Sequence, residues 1–154
     1  MGQRNPQQTA YRPNEQHIRE IIQEAEAYRL LVTTADELGR HLVDVGLKTT
    51  QIRNIFGVAR QLQAKWVQSE DEAVHIRLQR RLALLQPKLA YQKKRERAVT
   101  PLADTLEMSI DMVFEESPSK ENPSPEMIHA RFIRFMEFFE AILAYHTAYG
   151  GRTQ

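Results

Sequence analysis

Two short stretches of the chain combine cations with hydroxyls, an amide and an aromatic ring at spacings suited to holding phosphate. The first is Gly46-Leu47-Lys48-Thr49-Thr50-Gln51-Ile52-Arg53, which reads as a helix stop, a tight turn and a helix start. On the helix it opens, Arg53, Gly57, Arg60 and Ala64 fall at i, i+4, i+7 and i+11 and share one face. Two guanidinium forks separated by small residues would let a sugar-phosphate backbone lie close, each fork gripping phosphate oxygens. Thr49, Thr50 and the unpaired amides of the first turn add donors, with Lys48 and Gln51 at the same end. The bland alternative is a solvated arginine face on which Gly57 admits a neighbouring helix. The second stretch is Leu85-Gln86-Pro87-Lys88-Leu89-Ala90-Tyr91, running into Lys93-Lys94-Arg95. Its Tyr91 could stack on a base or ribose, or anchor the segment in the core. No base-reading motif accompanies either stretch, so a nucleic acid here would be held by its backbone with little sequence preference.

Other chemistry finds little support. There is no cysteine, hence no disulfide or thiol chemistry. His17, His41, His75, His129 and His146 never recur at the three-to-five spacing that brings two imidazoles to one metal. No glycine-rich phosphate loop is present. The carboxylate pairs Glu115-Glu116 and Glu137 with Glu140 read as solvated helix faces. We therefore expect no enzyme, no cofactor and no metal.

Charge supports a polyanion partner through its distribution, since the net value is only +1. Residues 39–68 hold five Lys and Arg against one acid, and residues 73–100 hold eight against one. Residues 101–140 reverse this, with nine acids against three cations. Such a subunit could bind a polyanion on one face and neighbouring protein on another. No apolar run approaches the roughly 18 residues that span a bilayer. The N-terminus lacks the apolar core of a signal peptide, and Pro6 argues against reading Gly2 as a myristoylation site. The expectation is a cytoplasmic protein with no membrane partner.

The elements that must position these residues are helical. Residues 1–13 are polar, contain Pro6 and Pro13 and read as a flexible tail. Residues 14–149 form one bundle domain and residues 150–154 a C-terminal tail. Asn14 caps a first helix with Ile18, Ile21 and Ile22 on its stripe. Thr34 and Glu37 form a capping-box pattern for a second, which Gly46 ends. Thr49 or Thr50 caps the third, with Ile52, Ile55, Ala59, Leu62 and Trp66 facing inward. Val74, Leu78, Leu82 and Leu85 mark a fourth, which Pro87 should kink or end. Thr100-Pro101 restarts the chain as cap and first helical residue. Residues 117–124 are an internal loop, and Ser124-Pro125-Glu126 opens the last helix. That helix is apolar on more than one face, as suits either a central helix or a subunit contact. No β-alternation appears, so the fold class is all-α, a single-domain helical bundle of about five to six helices.

These motifs together resemble the small-subunit family of the type III-A CRISPR effector, the Csm complex. Leu47-Lys48-Thr49-Thr50-Gln51-Ile52-Arg53 is similar to that family's L-T-T-S-Q-I-R signature, with Lys48 for the first threonine and Thr50 for the serine. Residues 85–91 resemble a downstream segment of the same family, and the aromatic helix over residues 132–145 is a third point of likeness. The resemblance covers residues 36–147. It implies a non-catalytic helical bundle of a guide-RNA ribonucleoprotein in antiviral defence. Copies stack on one another beside the backbone subunits and the large subunit, contacting guide RNA and single-stranded target RNA through phosphates. It carries over to Lys48, Gln51, Arg53, Lys88 and Tyr91; Arg60, Lys93, Lys94 and Arg95 are added from charge and spacing. With Lys48 in place of a hydroxyl, Thr49 is expected to cap the helix. The competing reading is a helical adaptor or homodimer that docks an acidic protein on the basic segment.

Overall fold

A computed structural model describes residues 11–151 as seven α-helices and a single 3-10 turn. They are α1 (Glu15–Gln23), α2 (Tyr28–Asp44), α3 (Thr49–Gln68), α4 (Glu72–Ala83), α5 (Leu85–Arg95), the 3-10 turn Arg97–Val99, α6 (Thr100–Phe114) and α7 (Pro125–Ala148). No strand occurs among the described residues, and the all-α single-domain reading holds. Residues 1–10 of the expected N-terminal tail and residues 152–154 of the C-terminal one lie outside the described residues. Tyr11 is not tail-like. Its half-buried ring packs on the core 5.3 Å from the His41 ring, and burial raises its phenol pKa.

Helix α7 is the axis of the bundle, packing against α1, α2, α3 and α6. Phe132, Phe135, Phe138, Phe139, Met136 and Ile142 are all buried in the core, while Met127 and Ile133 of the same helix stay exposed. Two arginines of α7 also turn inward. Buried Arg131 donates from Nη1 to the carbonyls of Glu115 at 2.9 Å and Val113 at 3.3 Å, closing the C-terminus of α6. Arg134 donates to the Ile22 carbonyl at 3.1 Å, near the end of α1. Each guanidinium meets carbonyls that have no intrahelical donor and carry the negative end of a helix dipole.

Sequence punctuation explains most boundaries. Asn14 Oδ1 accepts from the His17 amide at 3.0 Å, Asp71 Oδ1 from Ala73 at 2.9 Å, and Ser124 Oγ from Met127 at 3.2 Å. Gly46 has φ +82°, and the amides of Gly46 and Leu47 reach back to the carbonyls of Val43 and Leu42. That left-handed closure is repeated by Gly150 and Gly151 at the end of α7.

Four expectations need correction. Thr34 does not start a helix: α2 begins at Tyr28, and Thr34 is buried in its interior. The N-cap of α3 is Lys48, not Thr49 or Thr50. Gln51 Oε1 accepts from the Lys48 amide at 3.0 Å; an ammonium has no lone pair to return the bond. Thr49 is in the helix, its hydroxyl buried without a partner. The break attributed to Pro87 falls upstream at Leu84, because the proline ring would clash with the Ala83 carbonyl and cannot donate to it. Pro87 itself sits in the first turn of α5, where no donor is needed. Thr100 makes no cap either, since the 3-10 turn runs directly into α6.

At the close crossing of α2 and α7, Gly39 has no room for a side chain. A Cβ there would lie 2.6 Å from Tyr145 Cβ and 2.9 Å from the His146 backbone nitrogen. Gly39→Ala is expected to push the helices apart and cost about 1–3 kcal/mol, measured as a fall in ΔG by urea denaturation.

Buried Trp66 offers a second test. Its indole stacks on His129 at 5.4 Å and Phe132 at 4.8 Å, with His75 at 6.0 Å. Burial, and secondarily the charge of His75, depress the His129 pKa. The folded state then disfavours the proton. His129 thus adds stability that is present above the unfolded value of about 6.5 and lost as pH falls through its folded value. Unfolding followed by Trp66 fluorescence should show lower stability at acidic than at neutral pH, with a smaller difference in His129→Phe.

Candidate nucleic-acid interface

Every cation proposed from the sequence lies on the stretch from the start of α3 to the end of α5. Residues 48–97 hold twelve Lys and Arg against four acids. On α3 the residues that face the core are Thr49, Ile52, Ala59, Leu62 and Trp66. Arg53 and Arg60 project from the exposed side, and neither makes an ion pair among the described residues. Lys48 is exposed at the N-terminus of the same helix. A Cβ added to Gly57, between the two arginines, would meet nothing within 4 Å. The glycine therefore does not serve helix packing within the chain, and the space above it is open.

The position of Lys48 is fixed from the far end of the sequence. His146 on α7 is fully buried, and its Nε2 hydrogen-bonds the Leu47 carbonyl at 2.7 Å. A carbonyl can only accept, so Nε2 carries the proton. Gly151 lies so close over the imidazole that a Cβ there would collide with the ring.

Helix α5 turns its predicted residues in two directions. Lys88, Tyr91 and Arg95, at i, i+3 and i+7, share its outer face, with Lys94 also exposed. Tyr91 is 60% exposed, so it is not a core anchor, and the Arg95 guanidinium lies 5.8 Å from its ring centroid. Lys93 points the other way, toward α6. Its ammonium bonds Asp104 at 2.9 Å and lies 3.3 Å from Glu107. The hydrogen bond to Asp104 is the main cause holding its pKa above the ordinary lysine value. Gln51 is likewise committed, its side-chain oxygen capping α3. Of the nine sequence-predicted residues, Lys93 and Gln51 are thus engaged inside the fold and the other seven remain exposed.

The structure adds Lys65 and Arg81. The elbow at Leu84 joins α4, which packs on α3, to α5, which packs on α6, and a groove of about 520 Å³ opens between α3 and the elbow. Lys65, Arg81 and Lys88 line it together with Val58, Leu84 and Pro87. Segmental charge included Lys65 and Arg81, but only the elbow brings them beside Lys88. The acids gather elsewhere: Glu15, Asp104, Glu107, Asp111 and Glu115 line a shallow cleft over α1 and α6. Among the described residues no group of three or more His, Asp or Glu is placed to hold a metal ion, and no helix is long and apolar enough to cross a membrane.

Fold and surface together define a class: a single-domain all-α bundle whose charge is segregated, with a cationic face on three consecutive helices that is largely unpaired among the described residues. The model of the Csm2 Type III-A family matches residues 25–152. The chain belongs to that family, and is a small subunit of the type III-A CRISPR effector complex. No curated protein and no solved structure matches it.

Lys93→Ala is expected to remove the α5–α6 ion pairs, at a cost of about 1 kcal/mol or less for such half-exposed groups. Its effect on RNA affinity should be negligible beside that of Lys94→Ala. Thermal melting and filter binding of the assembled complex would measure the two.

Proposed function

We propose that this chain acts without catalysis in the effector, stacking in several copies beside the backbone subunits and holding guide-paired target RNA by its phosphates. Lys48, Arg53 and Arg60 grip the RNA from α3, and Lys88, Tyr91, Lys94 and Arg95 from α5. The observation that carries this reading is the face of α3. Two arginines there lack acidic partners among the described residues and flank a glycine with open space above it. Glycine in an exposed helix interior costs about 1 kcal/mol relative to alanine. An approaching sugar-phosphate backbone gives it a use that folding does not. Segregation of acids over α1 and α6 supports contact with protein neighbours, including further copies, away from the RNA. On this reading the subunit works beside the guide RNA in the cytoplasm and needs no membrane partner.

Arg53→Ala with Arg60→Ala should leave helicity and melting temperature unchanged while weakening target-RNA binding by the assembled complex. It should also reduce the steepness of the salt dependence. Gly57→Ala should do the opposite to the free chain, stabilising it by about 1 kcal/mol, yet still weaken RNA binding. Undiminished RNA affinity in the double variant, with an acidic protein recovered on the chain instead, would favour the adaptor reading.

A further inference from the structure

Side chains on neighbouring stripes of α3 connect the two cationic regions. Arg53 and Arg60 lie on one stripe. Asn54, Gln61 and Lys65, each one residue further on, lie about 100° round the helix and line the groove against α4 and α5. Gly57 and Ala64 form the crest between the stripes. The crest is therefore low, and the path across it is roughly 9 Å for a helix of this diameter.

The groove has the chemistry of a nucleotide site. Its cations Lys65, Arg81 and Lys88 make no ion pair among the described residues, and no acid lines it. It continues past Val58 and Lys88 into a smaller hollow of about 220 Å³ lined by Asn54 and Gln92. The side-chain amides of Asn54, Gln61 and Gln92 make no hydrogen bond among the described residues, so three donor-and-acceptor edges face solvent. The exposed apolar surface amounts to Val58 at 40%, Leu84 at 54% and the Pro87 ring, while Leu62, Leu85 and Leu89 are buried beneath. Three small exposed apolar groups, none aromatic, are too few for the run of apolar anchors with which a protein helix docks. They suffice to floor one ribose or base.

We propose that the groove is the second half of a single RNA track. The strand passes the Arg53–Arg60 stripe, crosses α3 over Gly57 and Ala64, and lays a nucleotide against Val58 and Leu84. The groove amides meet its base edges, and Lys65, Arg81 and Lys88 meet its phosphates. This rests on the RNA reading above and extends it to residues that neither sequence motif contains.

The test uses the full chain assembled with its guide RNA and partner subunits. Target-RNA affinity is measured against salt for wild type, for Lys65→Ala with Arg81→Ala, for Arg53→Ala with Arg60→Ala, and for the fourfold variant. All four side chains are exposed, and melting curves will confirm that the variants fold. Each phosphate contact contributes a slope of about 0.7–0.9. Each pair should therefore flatten the log–log slope by about 1.5, and the fourfold variant by about 3. A groove pair that leaves the slope unchanged while the Arg53–Arg60 pair flattens it would overturn the track and spare the RNA reading. If neither pair changes it, both fail. A benzophenone amino acid in place of Gln61 supplies an independent readout. Photocrosslinks to RNA are expected, and crosslinks confined to protein would make the groove a docking site for an acidic segment and overturn the proposal.

Discussion

The bundle depends on the burial of α7. Four phenylalanines of that helix have almost no contact with water, and four other helices take their inner surfaces from it. Such an axis could be entirely apolar, yet Arg131 and Arg134 sit on it and point inward. A buried guanidinium is tolerable only where its donors are met. Helix C-termini provide that, with carbonyls that lack intrahelical partners and a local excess of negative charge. The two arginines fix the ends of α6 and α1 against the axis, so the core is registered by polar contacts as well as by shape.

The same arrangement decides what remains for the surface. Glu115 collects Arg19 at 2.8 Å and Gln23 at 3.1 Å, and the hydrogen bond from Arg19 is the main cause depressing its pKa. Arg40 rests on Tyr149, whose hydroxyl donates to Asp36. Lys93 closes on Asp104 and Glu107. The cations of α1, α2 and α7 that face acids or carbonyls are thus committed to the architecture. Between residues 48 and 97 acids are sparse, so most cations there stay free to meet an external anion. The chain is nearly neutral overall, yet it presents a strongly one-signed face through sorting rather than excess.

Local rules made much of this legible. Side-chain caps at Asn14 and Ser124, glycine stops at Gly46 and Gly150, and the 3.6-residue stripes of α1 and α3 all depend on neighbours a few residues away. Misreadings arose where tertiary packing overrode a local pattern. Thr34 looked like a cap, but Leu30 and Leu31 carry the apolar pattern of α2 backwards through it and bury it. Lys93 looked like a member of a basic run, but helical geometry turns it toward α6 while Lys94 and Arg95 stay outside. The exposed α3 face was readable because i, i+4 and i+7 periodicity is local. Lys65 and Arg81 were not assignable, because their approach to Lys88 is made by a bend at Leu84 that no periodicity encodes.

The bond between His146 and the Leu47 carbonyl spans 99 residues of chain. It has a consequence for the order of assembly. Helical bundles commonly fold fast because their contacts are local. Here α1, α2 and α3 find their shared core only in α7, and the turn that presents Lys48 is tied down by a histidine near the end of that helix. During synthesis at roughly 5–20 residues per second, α1 can pack on α6 before α7 is made, but α2 and α3, with Leu38 and Ile52, lack their main partner until α7 has left the ribosome. A nascent chain interrupted before residue 146 would carry every cation of the proposed face and lack the histidine that holds the Lys48 turn in place. Completion of α7 thus acts as a checkpoint, and products truncated within it are expected to remain unassembled and exposed to proteolysis.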